Sequence, residues 1–265
     1  MRDDVGDGRS ADHGCSYTAQ MHPQDGHSLG LSRSVRLLAG FAVEQSNPDY
    51  FYGLLGRDSV AALSRHFILR DAVVLDVGAG PRQMGESFVA AGALYVGIDH
   101  NFDALEPMAS RRSAALVATG ERLPVRSGSV DIAFSSNVFE HVRAPERLGD
   151  ELTRVVRPGG LVVVSYTNWF SPWGGHETSP FHYLGGERAI ARYTRRTGAV
   201  PKNLLGESLF RTSISQGLAW ARNCPDAELI DVRPRYYPWW ARRIVDLHGL
   251  REAVTWNLWM VLRRR

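Results

Sequence analysis

The stretch VVLDVGAG constrains the fold of this 265-residue chain more than any other, because it predicts a short buried strand that runs straight into a glycine turn. The apolar run from Ala72 to Leu75 is short and branched, as expected for a strand covered on both faces of a parallel sheet. Gly78 and Gly80 then let the backbone pass close to a bound group at the start of a helix. The pattern predicts an α/β protein that binds a nucleotide-like ligand at this turn.

Strand-like and helix-like segments alternate after the turn, which is typical of a doubly wound, mostly parallel sheet with helices on both faces. Besides 72–75, the predicted strands are 94–99, 114–119, 130–135, 161–167, 227–237 and 253–264, seven in all. The predicted helices are 84–91, 145–157 and 186–198, with a helix or turn at 101–112.

Helical spacing also precedes the sheet, and we expect residues 31–70 to form a helical lid with Asn47 capping its second helix. Residues 1–30 show no hydrophobic period and are expected to be a disordered tail. Residues 31–265 then form one domain. The segment 168–186 is rich in Gly, Pro and Trp, and long loops of this kind are usually functional.

Composition excludes several classes of protein. With 44% hydrophobic and 22% charged residues, the chain resembles neither a disordered nor a membrane-spanning sequence. Its net charge of +3 is too small and too diffuse to predict nucleic-acid binding, and Lys202 is the only lysine. Cys15 and Cys224 form no CxxC pattern, and the N-terminus lacks a signal-peptide pattern, so a reducing, cytoplasmic location is expected.

A carboxylate downstream supports the nucleotide-like ligand. Asp99 ends the second predicted strand, 23 residues after Asp76, where it can accept hydrogen bonds from both ribose hydroxyls. Gln83 occupies the position of the third glycine in a dinucleotide fingerprint, which disfavours a nicotinamide cofactor. An NAD-dependent oxidoreductase remains an alternative that the absence of a Tyr-x-x-x-Lys pair disfavours further.

Five motifs follow one another in a familiar order between residues 73 and 165: VVLDVGAG, VGID, GERLPVRSGSVD, SSNVFEHV and TRVVRPGGLVVVS. This series resembles the class I S-adenosylmethionine-dependent methyltransferases of the type 11 group. The flanking segments, from about Leu31 to the C-terminus, resemble a narrower set of actinobacterial methyltransferases. The resemblance implies a Rossmann-like fold, S-adenosylmethionine as cofactor and methyl transfer as the reaction.

The resemblance also implies which residues contact the cofactor. The turn of Asp76, Gly78 and Gly80 would hold its methionine end, Asp99 its ribose, and His100 would lie beside the adenosine. The remaining implied contacts are Glu121, Arg122 and Leu123 along the adenine, and Asn137 and Val138 under the sulfonium. Thr119 replaces the acid usual in the family, which weakens the expected adenine contact.

Two residues keep alternative interpretations. Tyr52, on the second lid helix, either contacts the cofactor or belongs to an aromatic helix face packed into the core. Arg82 replaces a glycine of many relatives, and either pairs with the methionine carboxylate or points to solvent.

Methyl transfer from a sulfonium is an in-line displacement, so the protein supplies alignment, a dry pocket and, for a hydroxyl acceptor, a base. His141, His176 and His182 are the candidate bases, because they follow the fourth and fifth strands where ligands bind in such sheets. Each could instead cap a helix or hydrogen-bond within its loop. No metal site is expected, since the six-residue gap from His176 to His182 and the intervening Pro180 do not fit the HExxH motif.

The resemblance also implies that the loop 168–186 forms the acceptor pocket. The acceptor is expected to be an oxygen of a small molecule, a sugar or a lipid-linked intermediate. A non-catalytic cofactor-binding partner, or a membrane-peripheral one, is the alternative from another functional class. The aromatic and basic residues Trp239, Trp240, Arg242 and Arg243 suggest contact with membrane headgroups, although a hairpin covering the sheet edge would use the same residues.

Overall fold

The computed structural model describes residues 30–105, 108 and 110–265. The predicted tail, apart from Gly30, and Cys15 lie outside the described residues. Cys224 is buried as a free thiol.

A seven-stranded sheet forms the centre of the described structure, with the strand order β3-β2-β1-β4-β5-β7-β6. The strands are β1 (Val73–Val77), β2 (Leu94–Asp99), β3 (Ser113–Val117), β4 (Val130–Ser136), β5 (Val156–Thr167), β6 (Ala227–Pro234) and β7 (Asn257–Arg264). The first five strands pair in parallel, and β7 lies between β5 and β6, antiparallel to both. This confirms the predicted Rossmann-like, mostly parallel sheet.

Helices cover both faces of the sheet. They are α1 (Leu31–Ala42), α2 (Pro48–Leu63), α3 (Gly85–Ala90), α4 (Pro145–Val155), α5 (Gly186–Thr197), α6 (Ile214–Asn223) and α7 (Leu250–Val254). The start of α2 follows the sequence closely, because the Asn47 side chain accepts a hydrogen bond from the Tyr50 N–H and Pro48 occupies the first turn. The two predicted N-terminal helices are thus present.

Alternating side chains of the sheet enter two cores. Leu75 and Val162 pack with the apolar sides of α4 and α6, whereas Val74 and Val163 pack with those of α1, α2 and α3. Burying each large apolar side chain contributes roughly 1.5–3 kcal/mol, so both layers hold the sheet in place. The carboxyl ends of β1, β2, β4 and β5 therefore form one fixed edge of the sheet.

The structure differs from the predictions in several places. Helix α6 is present in the structure but was not predicted from the sequence. Residues 250–254 are helical, although Ala253 and Val254 belong to the last predicted strand. Strand β5 begins at Val156, five residues before the predicted start, because a register shift opposite Val130 and Ile132 lets the Pro-Gly-Gly turn stay in the ladder. The segment 168–186 contains short 3₁₀ helices at His176–Thr178 and Phe181–Leu184. No helix among the described residues is long and apolar enough to cross a membrane.

Candidate functional site

The glycine turn after β1 is fixed by the neighbouring strand. The Gly78 and Ala79 N–H groups both donate to the Ile98 carbonyl, at 2.8 and 2.9 Å. Gly78 and Gly80 have φ values of +79° and +49°, in the region that favours glycine. A Cβ at Gly78 would lie 2.2 Å from a Val138 methyl, whereas a Cβ at Gly80 would meet nothing within 4 Å. The turn is therefore closed against Val138 on one side and open at Gly80.

Asp99 ties this turn to the end of β2. Its carboxylate accepts hydrogen bonds from the Gly80 N–H and the Asn101 N–H, each at 3.0 Å. The His100 Nδ1 lies 3.2 Å from the same carboxylate, with the His100 side chain 83% exposed. A carboxylate held in this way keeps lone pairs for further donors such as hydroxyl groups.

A cleft of about 370 Å³ opens at this edge of the sheet. Of the predicted cofactor and catalytic residues, it brings together Gly78, Asp99, His100, Glu121, Val138 and His141. Thr119 and Phe210 also line it. The space beside Gly80 is open and the Asp99 carboxylate forms part of the cleft wall, which offers a hydrogen-bond acceptor to a cofactor that carries ribose hydroxyls.

Other predicted cofactor residues lie around the cleft rather than in its wall. Leu123 is a buried core residue whose N–H donates to Glu151, and the Arg122 side chain is exposed. The Tyr52 hydroxyl donates to Glu44 at 2.9 Å while its ring packs against Phe51. Their predicted contacts with the cofactor stay predictions.

Asp76 lies behind the glycine turn, in the core. One carboxylate oxygen accepts a 2.7 Å hydrogen bond from the Tyr95 hydroxyl, and the other has no partner. Burial raises the pKa of Asp76 to about 7; the Tyr95 hydrogen bond opposes this change and the charge of Asp99 adds to it.

The position of Arg82 rules out one of its two predicted roles, that of a side chain pointing to solvent. Its side chain is 5% exposed, so it does not point to solvent. It runs over Gly97 of β2, where a Cβ would lie 2.7 Å from the Arg82 Cδ, and it donates to the Ala114 carbonyl. The glycine at position 97 is what leaves room for this arginine.

Asn137 lies beneath the cleft in a left-handed conformation, with φ +59°. Its N–H donates to the Ser165 carbonyl at 2.7 Å, and its side-chain oxygen accepts from Asn257 at 2.9 Å. Asn257 in turn accepts from the Ser165 hydroxyl, which also receives a hydrogen bond from the buried Arg235. Asn257 and Arg235 are missing from the residues predicted by sequence, because their contacts with Asn137 and Ser165 span 120 and 70 residues of the chain.

Glu140, His141 and His176 form a second group of side chains beside the cleft, here called the Glu-His-His cluster. One nitrogen or oxygen atom of each residue lies within 4.8 Å of those of the other two. The two imidazole rings meet edge to face with their centroids 5.0 Å apart. Glu140 and His141 come from the 3₁₀ helix after β4, and His176 from the loop after β5.

The protein backbone fixes the tautomers of both histidines. His141 donates through Nδ1 to the Ser208 carbonyl at 2.7 Å, and His176 through Nδ1 to the Gly174 carbonyl at 3.4 Å. Since a carbonyl can only accept, the neutral rings keep a free lone pair on Nε2. Burial lowers the pKa of His176, against the opposing charge of Glu140, so its neutral form is favoured. His176 also has φ +51°, an uncommon conformation for a histidine.

Glu140 is 1% exposed, an unusual burial for a carboxylate. One oxygen accepts from the Thr167 N–H at 2.8 Å, and the other has no hydrogen-bond partner. The predicted site residues include its neighbour His141 but not Glu140. The motif FEHV was the available signal, since a 3₁₀ helix after a strand end brings adjacent side chains to one site.

Further carboxylates surround the cluster. Burial raises the pKa of Glu44; the Tyr52 hydrogen bond opposes this change, and the charges of Glu140 and Glu177 add to it. Glu177 accepts two hydrogen bonds from the Asn203 amide, at 3.0 and 3.1 Å. The surroundings of the cluster thus favour a positively charged or hydrogen-bond-donating ligand.

His182 is the candidate base that the structure separates from the other two. Its Nε2 hydrogen-bonds the Trp169 carbonyl at 3.1 Å and its ring lies against Trp169 and Tyr183. A Cβ at Gly175 would lie 2.3 Å from the His182 Cβ, so the loop closes tightly around this ring. The arrangement is that of an interior residue of the loop.

A larger, shallow groove of about 600 Å³ lies at the opposite edge of the sheet. It is lined by residues 64–68 and 70–72 together with Asp131 and Arg157. Ligands of open α/β sheets bind at the carboxyl ends of the strands, so the smaller cleft is the candidate site.

Comparison with known proteins identifies similar chains. Residues 75–164 match a family model described as "Methyltransferase domain". An "Uncharacterized methyltransferase" of Mycolicibacterium gilvum is 48% identical over 243 residues, covering 88% of this chain and 94% of the relative. One of Mycobacteroides abscessus is 45% identical over 248 residues, covering 89% and 95%.

Solved structures share the fold. An S-adenosylmethionine-dependent methyltransferase from Mesorhizobium loti superposes with a TM-score of 0.53 and 20% identity, covering 77% of this chain and 96% of that one. A chain from a complex that contains the Haloferax volcanii Trm112 methyltransferase activator superposes with a TM-score of 0.54 and 14% identity, covering 88% and 97%. At these identities the superpositions support the fold alone.

Proposed function

This chain belongs to the family of S-adenosylmethionine-dependent methyltransferases, and we propose that it methylates an oxygen atom of a small-molecule, sugar or lipid-linked acceptor. The family and the cofactor are the premises. What this chain's own residues contribute is a cofactor cleft next to a buried polar cluster.

The observation that carries the proposal is the contact between the cleft and the Glu-His-His cluster. His141 belongs to both, since it lines the cleft and its ring meets that of His176. The free lone pairs of the cluster, on two Nε2 atoms and one carboxylate oxygen, accept hydrogen bonds and donate none. Such a site favours an acceptor that carries a hydroxyl hydrogen.

The reaction that follows is an in-line displacement. S-adenosylmethionine, when bound, supplies an electrophilic methyl group. The acceptor oxygen forms a bond to the methyl carbon while the carbon–sulfur bond breaks, and the electron pair of that bond stays on sulfur. The hydroxyl proton leaves toward the Glu-His-His cluster, where the Glu140 carboxylate is buried.

The proposal is tested by incubating the full chain with methyl-labelled S-adenosylmethionine and fractionated small-molecule, glycan and lipid extracts. We expect label in one fraction, in a product whose methyl group is carried by oxygen. Methylation at nitrogen or carbon would contradict the proposal. Binding of S-adenosylhomocysteine without transfer to any fraction would favour the non-catalytic partner instead.

The exposed aromatic segment after β6 supports contact with a membrane surface as part of this function. Trp239 and Trp240 are 44% and 64% exposed, and Arg242 and Arg243 are exposed on the same 3₁₀ helix, Trp239–Asp246. Indole rings and cations together favour anionic headgroups.

This contact is tested by co-sedimentation with vesicles of phosphatidylcholine alone or with phosphatidylserine. We expect binding to the anionic vesicles only, and loss of binding in Trp240→Ala. Equal sedimentation of the variant, or none of the parent protein, would contradict it. Exposed Leu250 offers a matched control, since Leu250→Ala removes apolar surface outside the aromatic segment.

A further inference from the structure

We propose that the Glu-His-His cluster is a binding site for a divalent first-row transition-metal ion of the zinc, manganese or iron type. This inference rests on the proposed function for its place in the reaction, and on the cluster's own geometry for the site. It concerns Glu140, His141 and His176, a different set from the His176, Glu177 and His182 set whose spacing is incompatible with HExxH.

The ligand atoms are of the right kind and within reach of one another. Two imidazoles and one carboxylate are common ligands of catalytic metal sites, and they leave positions open for substrate. The atoms lie within 4.8 Å of each other, against about 3.4 Å expected between ligands of a tetrahedral zinc ion. Side-chain rotations that shorten these separations by at most about 1.4 Å would complete the site.

The surroundings orient the ligands as metal sites require. A ligating histidine usually donates its other ring N–H to a carbonyl or carboxylate, which fixes the ring and its tautomer. Both histidines do so, His141 to Ser208 and His176 to Gly174, and each keeps the Nε2 lone pair for an ion. Glu140 supplies the second line of evidence, since its oxygen without a hydrogen-bond partner is buried.

Two imidazoles disfavour magnesium and calcium, which prefer all-oxygen ligands. The carboxylate of Glu177, next to His176 in the chain, adds negative charge that attracts a dication. With an ion bound, the lone pairs of the cluster would hold the metal, and the ion would lower the pKa of the acceptor hydroxyl. Its proton would then leave to solvent at the open cleft instead of going to the cluster, before the oxygen takes the methyl group. Acceptors with two neighbouring oxygens would bind best, because they can occupy two open positions.

Cobalt(II) is the probe, because its visible absorption reports the ligands without requiring turnover. The full chain without a histidine tag is titrated with Co²⁺, and Zn²⁺ is then added in competition. We expect one equivalent of Co²⁺ to give a visible band that Zn²⁺ removes. Glu140→Gln and His176→Asn should lose the band, whereas His248→Asn, which replaces an exposed histidine outside the cluster, should keep it.

The two substitutions are chosen so that the protein folds. Glutamine can still accept from the Thr167 N–H, and asparagine tolerates the positive φ of residue 176. Circular dichroism and calorimetry with S-adenosylhomocysteine check each variant. A band that survives in both variants, or no band in the parent protein, would overturn the inference. Methyl transfer by metal-free protein would also overturn the inference, while leaving the proposed function intact. Failure of the parent protein to bind S-adenosylhomocysteine would count only against the proposed function.

Discussion

The Tyr95 hydroxyl donates a 2.7 Å hydrogen bond to the Asp76 carboxylate in the core behind the cofactor turn. Among the described residues this hydroxyl is the one hydrogen-bond partner of that carboxylate, since its second oxygen has none. A carboxylate so buried prefers its protonated form. Asp76, the first residue of the glycine motif, is therefore a buried acid that changes its protonation state near neutral pH.

We expect the contribution of Asp76 to the stability of the cofactor-free protein to fall as pH rises between about 4 and 7. Asp76 has its pKa raised from 3.8 to about 7 by burial, so the folded chain binds more protons than the unfolded chain in this window. The stabilisation is complete below pH 3.8 and lost above pH 7. Each tenfold difference in proton affinity between the folded and unfolded chains corresponds to about 1.4 kcal/mol of stability.

Urea unfolding of Asp76→Asn and of the parent protein at several pH values measures this effect. The difference in free energy of unfolding should change in favour of the amide variant as pH rises from about 4.5 to about 7. Asp71→Asn is the control, because Asp71 is an exposed aspartate and asparagine tolerates its φ of +61°. A difference between Asp76→Asn and the parent that stays constant with pH would refute the assignment.

Asp99→Asn should weaken binding of S-adenosylhomocysteine by about 10-fold or more. The substitution removes a charge-assisted acceptor for ribose hydroxyls, worth about 1.5–3 kcal/mol, and loosens the Gly80 N–H. Isothermal titration calorimetry measures the change. Asp103→Asn, an exposed acid on the next turn, should bind as the parent does, and equal affinities of all three proteins would contradict the prediction.

Alanine substitutions at Gly78 and Gly80 should distinguish destabilisation of the fold from steric conflict with the bound cofactor. Gly80→Ala costs about 1–2 kcal/mol of stability for its positive φ, and its methyl enters the open space where we expect the cofactor. Gly78→Ala adds a 2.2 Å contact with Val138 and should destabilise the fold more. Thermal melts measure the stability of the two variants, and titrations with S-adenosylhomocysteine measure their cofactor binding. A Gly78→Ala variant more stable than Gly80→Ala would contradict the prediction.

His176→Asn and His182→Ala should fail in different ways. The first should lower methyl transfer by about 100-fold or more with an unchanged melting temperature, because it removes a group facing the acceptor. The second should lower stability by about 1–3 kcal/mol, because it removes the hydrogen bond to the Trp169 carbonyl inside the loop. Labelled-methyl assays and thermal melts of both variants give the comparison, and the reverse pattern would exchange their roles.

The sequence predicts those element boundaries that are determined by a few neighbouring residues. The bounds of Leu94–Asp99 agree to the residue, and Asn47 and Pro48 mark the start of α2, because capping and strand patterns act over a few neighbours. Residues 250–254 were missed for the same reason. Their apolar residues continue into β7, and only the contact of α7 with α6, where Glu252 accepts a hydrogen bond from the Ser215 N–H, separates the two elements.

The candidate site was predictable only where it follows strand ends. Asp99 and His141 could be located by that rule, and the structure brings both to one cleft. Asn257 and Arg235 could not, because Asn257 lies on β7, which is inserted antiparallel between β5 and β6, and Arg235 directly follows β6. Nothing in a local pattern distinguishes such a strand from one added at the sheet edge.

The contact between Gly78 and Val138 has a consequence for the order of events in turnover. Val138 caps the 3₁₀ helix that carries Glu140 and His141, so the cofactor turn and the acceptor cluster share one joint. A ligand that binds against the glycine turn therefore also restricts the motion of the Glu-His-His cluster. We therefore expect a compulsory sequence in which the cofactor enters first, with S-adenosylhomocysteine competing against it but not against the acceptor.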